Sequence, residues 1–390
     1  MELFKDRTKV ILITHYMTRA KGSEETDQRT LNYVLKRVKK VFFIAHPFPN
    51  SSFSETIFEV YEEGNLIHEQ KIPSYKGFYL TQYLIQVFLT IWLFIKIRSQ
   101  IDLCIVLENL SFISLFPFRI LGLIKRIVYY SVDFTPQRFS NNLINNFYHL
   151  MDRFACTHSD INWVMVKEQI NARVRRDPKN TKYSGFALAP IGYKTDLIDI
   201  ISVEKINFYQ LIFAGALLEN SGPQLGIEAL PSLIKKFPQI NYTIIGKGEF
   251  EKNLRDLTKK LGVQKFVKFL GYIDSFKNMT KIISKGSIGL APFVPVENSL
   301  SYFSDPSKIK LYLVCGLPVI TTNVATIAPL VHKRKAGLVV NYTAKELTQA
   351  ISIMLSDKKK YQKFKNSAIK LSQKYNINNI LKNAFNKIPN

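Results

Sequence analysis

The sequence predicts an α/β protein built from two doubly wound domains, each with a mostly parallel sheet. Short apolar, β-branched or aromatic runs alternate with longer helical patterns from the start of the chain, which is typical of βα units around a parallel sheet. The pattern restarts cleanly at Leu211, and 390 residues suffice for two domains that each bury a core. We expect a boundary near residues 195–208, with domains at 1–200 and 201–357 and a basic helical segment at 358–390.

In the first domain the apolar runs predict five strand segments in a regular order. A helix-like stretch rises through Leu31 and Val38, and an alternating segment turns at Glu63-Gly64-Asn65, as a β-hairpin does. The predicted strand segments are 10–13, 41–45, the hairpin 56–72, 103–107 and 127–132.

Residues 78–97 form the longest apolar stretch of the chain and could be read in three ways. Gln82, Gln86 and Lys96 interrupt it, and a membrane-spanning helix tolerates few such groups. We therefore expect a buried crossover helix of the sheet. A helix that lies on a membrane surface stays open, because residues 112–124 add aromatic and apolar side chains beside Lys125-Arg126.

The second domain repeats strand and helix from its first residues onward. The predicted strands are 211–217, 242–245, 267–270, 288–291 and 318–322. The predicted helices are 223–237, 249–261, 275–284 and 306–315, followed by the helical segment 358–387.

Composition and charge limit the partners and the compartment. The formal net charge is +24, and it fits a nucleic-acid surface, an anionic membrane surface or plain lysine enrichment. Cys104, Cys156 and Cys315 stand far apart, so neither a disulfide framework nor a zinc site is expected, and a reduced cytoplasmic compartment fits best. We expect no secretory leader in the opening residues and no nucleic-acid partner, because no binding module with interleaved aromatic and basic residues occurs.

Three glycine sites follow strands of the second domain and are candidates for binding phosphate. They are Gly215, the Gly246-Lys247-Gly248 triplet and Gly271, which precedes Tyr272. Ligands of open α/β sheets bind outside the carboxyl ends of the strands, where glycine lets backbone N–H groups approach an anion. Ordinary βα turns would show the same glycines. The triplet is neither a Walker loop nor a dinucleotide fingerprint.

The stretch from Asp305 to Pro318 predicts a helix whose first turn favours an anion. Pro306 fits the first helical turn, and Ser307 and Lys308 follow at a helix N-terminus, where free N–H groups and the helix dipole attract negative charge. Gly316 ends this helix. A capped helix with a solvated lysine is the structural alternative.

Polar side chains at strand ends of the first domain are candidates for catalysis. His15, Glu108 and Asp133 each follow an apolar strand at the edge where ligands of such sheets bind, and Arg138 follows in the loop after Asp133. We expect His15, Glu108 and Asp133 to be catalytic and Arg138 to lie on the acceptor side. A structural loop histidine is the alternative for His15.

The second domain resembles the C-terminal domain of retaining GT-B glycosyltransferases, the glycosyl transferases group 1 family, over roughly residues 205–355. The matched pieces are the glycine sites, Phe269-Leu270-Gly271-Tyr272 and the pattern Pro306-x-Lys308-x-x-x-Tyr312-x-x-x-Gly316-x-Pro318. The resemblance implies two Rossmann-like domains facing a cleft, with the C-terminal helix packed back on the first domain. The donor-binding residues that it implies are Gly215, Gly246, Lys247, Gly248, Tyr272, Asp305, Ser307, Lys308 and Tyr312.

The sequence departs from the family at positions that contact the donor. Leu311 and Phe303 stand where the family commonly has glutamates, and Glu297 is a nearby candidate to replace them. No cation follows the first strand of the second domain, at Ala216 or in 218–222, where the family usually has an arginine and a lysine for the diphosphate. Lys308, and secondarily Lys247, would then take that role.

The resemblance implies transfer of a sugar from a nucleotide-diphosphate sugar to a glycan or lipid-linked acceptor, with retention of anomeric configuration. No D-x-D triplet occurs, so we expect neither a metal nor another cofactor. The expected location is the cytoplasm, with an anionic membrane surface as a possible partner and a peripheral position on its inner face. A catalytically silent scaffold and a sugar-nucleotide epimerase are the alternatives.

Overall fold

The computed structural model describes residues 8–16, 25–49, 51, 53–75, 77–132, 134–178, 182–296 and 305–389. The chain forms two compact units: Met1–Pro190 together with Ile380–Asn390, and Ile191–Asn379. The division falls at 190/191, whereas the sequence places it at 200/201. The last residues belong to the first unit rather than to a separate segment.

The first unit contains an eight-stranded sheet with the order β4-β3-β2-β1-β5-β6-β7-β8. Its strands are β1 (Lys9–Tyr16), β2 (Lys40–Pro47), β3 (Glu55–Glu62), β4 (Asn65–Pro73), β5 (Leu103–Val106), β6 (Ile127–Ser131), β7 (Ile161–Val164) and β8 (Phe186–Leu188). Its helices are α1 (Thr26–Leu35), α2 (Tyr79–Ile97), α3 (Asn109–Ile120), α4 (Asn142–His158) and α5 (Lys167–Arg176). Only β3 pairs antiparallel with its neighbours, so β4 ends at the same edge as β1.

Continuous apolar runs put the central strands in the core. Val10 to Ile13 and Leu103 to Val106 are completely buried, as expected for strands covered by helices on both faces. The hairpin forms where the sequence predicts it, since Glu63 and Gly64 both adopt the positive φ that a two-residue turn requires.

Helix α2 is the predicted crossover helix between β4 and β5, but the expectation that it is buried is wrong. Phe78, Leu80 and Phe88 are 85%, 68% and 68% exposed, and only the opposite face of the helix packs on the unit. It is also the helix among the described residues that is long and apolar enough to cross a membrane, over Leu80–Ile97.

The end of the chain packs on the first unit, as predicted. The ring of Phe385 stacks on Tyr33 at 5.3 Å between centroids and meets the indole of Trp163 edge-on at 4.8 Å. The predicted continuous C-terminal helix is interrupted, however, by a 3-10 turn at Gln373–Tyr375.

The second unit contains a six-stranded, all-parallel sheet with the order β11-β10-β9-β12-β13-β14. Its strands are β9 (Gln210–Ala214), β10 (Asn241–Ile245), β11 (Val267–Gly271), β12 (Ile288–Ala291), β13 (Val319–Thr322) and β14 (Gly337–Val340). Its helices are α6 (Pro223–Lys236), α7 (Glu251–Lys260), α8 (Phe276–Ser284), α9 (Ser307–Val314), α10 (Ala328–Lys333), α11 (Ala344–Leu355) and α12 (Lys358–Ser372), and α13 (Ile377–Phe385) begins in it. In chain order this sheet reads 3-2-1-4-5-6, the Rossmann arrangement.

The two sheets share one functional consequence of their topology. Each reverses its strand order once, between β1 and β5 in the first unit and between β9 and β12 in the second. Loops that leave neighbouring strands at such a switch point run to opposite sides and open a crevice at the carboxyl ends, where ligands of these folds bind.

Candidate functional site

Two glycines bring the carboxyl ends of β9 and β10 close together beside the switch point of the second unit. Gly215 and Gly246 adopt φ of +151° and +136°, which side chains strain to reach. A Cβ on Gly246 would lie 1.9 Å from the carbonyl oxygen of Gly215, and one on Gly215 would lie 2.9 Å from Cε of Lys308. The N–H of Gly215 donates to the carbonyl of Ile245 and that of Gly246 to the carbonyl of Gly271, so these two N–H groups hold the strand ends together rather than face a phosphate.

Lys308 lies directly over Gly215 and is the unusual group of this unit. Its ammonium is buried and has no hydrogen-bond partner among the described residues. The nitrogen lies 3.9 Å from the ring centroid of Phe213 and 5.0 Å from that of Phe293, so aromatic faces are its nearest stabilising neighbours. Burial lowers the pKa of Lys308 from 10.5 to about 7. A buried cation without a partner favours an anionic ligand at this point.

Lys310, two residues later on the same helix, is equally buried, but its ammonium is paired. Its ammonium pairs with the Asp305 carboxylate and also donates to the carbonyl of Ile191 at 3.2 Å. The same carboxylate accepts the backbone N–H of Ile191. Asp305, predicted to bind the donor, therefore has a structural partner at the entrance to α9. Its role toward the donor stays a prediction.

Tyr312 links the two strands that flank the switch point. Its hydroxyl accepts the N–H of Ala214 at 2.7 Å and donates to the carbonyl of Leu290 at 3.2 Å, which joins β9 to β12. The ring is completely buried, so the predicted contact with the donor would have to be indirect. Ser307 is exposed at the first turn of α9, and its carbonyl accepts a hydrogen bond from the Tyr193 hydroxyl at 3.0 Å.

The remaining predicted donor residues line the open side of the same edge. Lys247 and Gly248 are exposed, and the stem of Lys247 passes Gly271, where a Cβ would lie 3.7 Å from Cε of the lysine. Tyr272 is 56% exposed. These three residues are exposed and can contact a ligand from solvent, whereas Lys308 is buried at the same edge of the sheet.

Of the positions where the sequence departs from the family's glutamates, the structure describes one, Leu311. Leu311 is 6% exposed and turns from α9 into the apolar core, so its side chain packs there instead of offering a carboxylate to a donor. Phe303 and Glu297 lie outside the described residues.

His15 is the last residue but one of β1, at the switch point of the first unit, and its hydrogen bonds fix its tautomer. The amide nitrogen of Gln86 donates to the carbonyl of Pro47 at 2.8 Å, so the amide oxygen faces the ring and accepts from Nε2 of His15 at 3.0 Å. Nδ1 then carries a free lone pair, and it is buried without a partner among the described residues. Burial lowers the pKa of His15 to about 4, so the ring is neutral near pH 7.

His46 is the neighbour of His15 in the parallel register of β1 and β2, with 5.5 Å between the ring centroids. Both of its nitrogens are used, at 2.9 Å from Thr56 Oγ1 and 2.8 Å from Thr90 Oγ1. Burial also lowers the pKa of His46 well below its usual value. The pair thus consists of a satisfied histidine and one with a free acceptor.

The structure brings Glu108 and Arg138 to the same region as His15. Glu108 follows β5 and caps α3 through its carbonyl, which accepts the N–H of Phe112 at 3.1 Å. Burial is the main cause of the lowered pKa of His15, its hydrogen bond to Gln86 opposes that effect, and the charge of Arg138 lowers the pKa further. The charge of Arg138 also lowers the pKa of Tyr148, and that of Glu108 raises it, although burial dominates there. Asp133 lies outside the described residues.

Several functional neighbours carry no sequence signal. Phe213 and Phe293 read as ordinary core residues of a strand and a loop, and Gln86 reads only as an interruption of an apolar helix. Their roles depend on which side chain they meet across the fold. Within the described ranges, no group of three or more His, Cys, Asp or Glu side chains could hold a metal ion.

Two doubly wound units, each with polar groups at its switch point, define the class of the protein. The chain has the GT-B fold, as predicted. Anabaena HepE, solved in complex with UDP, matches 97% of this chain and 99% of its own at a TM-score of 0.67 and 14% identity. Sucrose-phosphate synthase from Thermosynechococcus elongatus matches 98% and 99% at 0.70 and 14%. An E. coli structure bound with UDP-2-fluoro glucose matches 97% and 98% at 0.66 and 13%.

The second unit matches a family model. Residues 209–357 match the model of the glycosyl transferases group 1 family, and the predicted resemblance is confirmed. A Haemophilus influenzae protein described as an uncharacterized glycosyltransferase is 22% identical over 193 residues. The match covers 45% of this chain and 48% of that protein, so the chain spans about half the length of this curated relative.

Proposed function

We propose that the protein is a glycosyltransferase that moves a sugar from a nucleotide-diphosphate sugar to a glycan or lipid-linked acceptor, without a metal and with retention of configuration. The observation that carries the proposal is the unpartnered ammonium of Lys308 above Gly215 at the switch point of the second unit. The family match and the nucleotide complexes of structural neighbours support the choice of a nucleotide sugar as the anion.

In this proposal Lys308 stabilises the leaving group. One further negative charge develops on the β-phosphate of the nucleoside diphosphate as the glycosidic bond breaks and its electron pair stays on the phosphate oxygen, and a preorganised cation in a dry site stabilises that charge strongly. Lys308 takes this role in a chain without the usual cations after β9. The diphosphate would restore full charge to the amine, because an adjacent anion raises the pKa that burial has lowered.

The acceptor in this proposal binds at the switch point of the first unit. The free Nδ1 lone pair of His15 can accept a hydrogen bond from an acceptor hydroxyl, and Arg138 supplies a positive charge that acts on the ring. Glu108 lies after β5, the strand next to β1. Asp133 remains a predicted catalytic residue. We place the reaction in the cytoplasm, at the inner face of the membrane when the acceptor is lipid-linked.

A donor screen with membrane extract as the source of acceptor tests this function. Mass spectrometry should detect a free nucleoside diphosphate and a glycosylated product with one class of donor. The Lys308→Met variant should lose that release, and Lys359→Met, at an exposed position on α12, should keep it. No release with any donor would support a silent scaffold, and sugar interconversion without acceptor would support an epimerase.

A further inference from the structure

Helix α2 carries its apolar side chains outward. The exposed ones recur at helical spacing along one stripe, about 28 Å long for a helix of this length. They are Leu80, Leu84, Phe88, Trp92 and Ile95, with 49% to 68% of each side chain exposed. We call them the α2 stripe.

The inner face of the same helix is unusually polar in its N-terminal half, whereas Leu93 and Phe94 join the apolar core in its C-terminal half. Gln82, Gln86 and Thr90 are 5%, 3% and 1% exposed, and Gln86 and Thr90 hydrogen-bond to His15 and His46. A surface helix of a water-soluble domain normally turns its apolar side to the core and its polar side to water. The reversed arrangement indicates that the outer face of α2 is covered by something apolar.

The apolar surface continues onto the end of α3. Phe94 on α2 packs against Phe118 on α3 at 4.2 Å between ring centroids, so the C-terminal ends of the two helices are neighbours. Just beyond, Ile120 and Leu121 are 71% and 70% exposed. A patch of this kind is larger than the scattered exposed apolar residues of ordinary surfaces.

The charges around the patch are positive. Residues 77–98 contain no Asp or Glu, and their charged members are Lys96 and Arg98, both exposed. The ammonium of Lys96 lies 5.2 Å from the ring centroid of Trp92, a combination of aromatic body and cationic tip that suits a membrane-water interface. Lys125 adds an exposed cation beyond the end of α3, where it pairs with Asp102.

We propose that the α2 stripe and the adjoining end of α3 dock on the surface of an anionic phospholipid bilayer. Apolar side chains would enter the acyl boundary, and the cationic rim would meet anionic headgroups. In a symmetric dimer through this face, Lys96 and Arg98 of one copy would meet the same cations of the other, so a bilayer with anionic headgroups fits the rim better. The helix lies on the bilayer rather than across it, because Gln86 and Thr90 tie its inner face to β1 and β2.

This inference deepens the proposed function, because it gives the acceptor side its orientation. Gln86 joins the N-terminal half of α2 to His15 at the carboxyl edge of the first sheet. Docking along the stripe therefore holds that edge next to the membrane, where a lipid-linked acceptor resides.

Cosedimentation of the full chain with vesicles tests the docking, and the readout does not depend on catalysis. We expect binding to vesicles of phosphatidylcholine with phosphatidylglycerol, weakened by salt, and weaker binding to phosphatidylcholine alone. Leu84→Ser with Phe88→Ser should reduce the partition coefficient at least about tenfold, because each inserted side chain contributes on that scale. Both side chains are more than half exposed, so the fold should persist.

Matched controls distinguish binding through the α2 stripe from nonspecific binding by other exposed apolar residues and from an effect of net charge. Leu197→Ser with Ile353→Ser removes exposed apolar side chains of the second unit and should leave binding unchanged. Lys96→Gln with Arg98→Gln should weaken binding only to the anionic vesicles, about fivefold or more, whereas Lys359→Gln with Lys360→Gln should not.

Three results would overturn the proposal. They are equal binding by the Leu84→Ser/Phe88→Ser variant, a dimer in sedimentation velocity that this variant dissociates while vesicle binding is absent, and resistance of the bound protein to alkaline extraction, which indicates a spanning helix. If vesicle binding is found but no donor is turned over, the docking stands and the proposed function fails.

Discussion

The carboxyl edges of the two sheets share an arrangement: each holds one buried polar group with hydrogen-bond partners and a similar neighbour without one among the described residues. In the first, His46 has partners for both nitrogens, and its neighbour His15 keeps a free lone pair. In the second, Lys310 pairs with Asp305, and Lys308 on the same helix has no partner among the described residues. A satisfied buried group stabilises its unit. An unsatisfied one at a switch point is available to a ligand, so the comparison makes His15 and Lys308, rather than His46 and Lys310, the candidates for ligand binding.

The largest expected effect is on turnover by the Lys308→Met variant. Losing the cation at the leaving diphosphate should lower kcat about 100-fold to 1000-fold. The same variant should unfold at higher temperature near pH 7, with a gain of about 2–4 kcal/mol, because methionine needs no charge in the buried site. Activity and thermal denaturation are measured on the same preparation. Full activity, or a loss of stability, would remove Lys308 from the donor site.

The pH dependence of stability sharpens this prediction. The pKa of Lys308 is lowered to about 7 in the folded chain, so between about pH 7 and 10.5 the unfolded chain binds the extra proton. The contribution of this lysine to the free energy of unfolding should therefore rise with pH across that window. Lys308→Met should remove this part of the slope, measured by urea denaturation.

The Lys310→Met variant should behave in the opposite way. It leaves the Asp305 carboxylate buried without its ammonium, which should lower the free energy of unfolding by about 3–5 kcal/mol. Chemical denaturation measures the loss. If Lys310→Met costs no more stability than Lys308→Met, the distinction between the paired and the unpaired lysine fails.

Acid should destabilise the fold at His15, because the buried ring is neutral in the folded chain and is protonated more readily in the unfolded one. Its pKa is about 4 in the folded chain against about 6.5 unfolded, so stability should fall by about 3 kcal/mol as pH drops through this window. The His15→Gln variant should flatten that fall and lower kcat, with the KM for the donor nearly unchanged. A variant with wild-type kcat would leave His15 a structural residue only.

The smallest expected effect belongs to Tyr312→Phe. Losing the hydroxyl leaves the N–H of Ala214 buried without its acceptor, which costs about 1–3 kcal/mol of stability. Because the ring is buried between β9 and β12, donor affinity should change little. A large loss of donor affinity at unchanged stability would return Tyr312 to direct contact with the donor.

The sequence predicts the fold well because periodicity and glycine placement are local. The five strands predicted for the second unit lie within a few residues of β9 to β13, whereas β14 and the last two strands of the first sheet, β7 and β8, are not predicted. Lys308 is expected near an anion from its place after Pro306. Pairing is not local. The sequence does not show which of Lys308 and Lys310 has a buried partner, because the pairing depends on Asp305 and on two aromatic rings from other segments.

Helix α2 also shows that long-range contacts cannot be predicted from local sequence. Its apolar content predicts burial, but its polar face is the one that meets the two histidines. Which face turns inward is decided by partners at the ends of β1 and β2, and the composition of the helix does not contain that information.

Proton uptake on nucleotide binding tests the central claim most directly. Titration calorimetry of the full chain with uridine diphosphate and other nucleoside diphosphates, in buffers of different ionisation enthalpy at about pH 8, counts protons taken up. With the pKa of Lys308 at about 7 in the unliganded chain, binding of the diphosphate should take up nearly one proton in the wild type and none in Lys308→Met. Tight binding without proton uptake, or equal uptake by the variant, would contradict the assignment of Lys308 to the diphosphate.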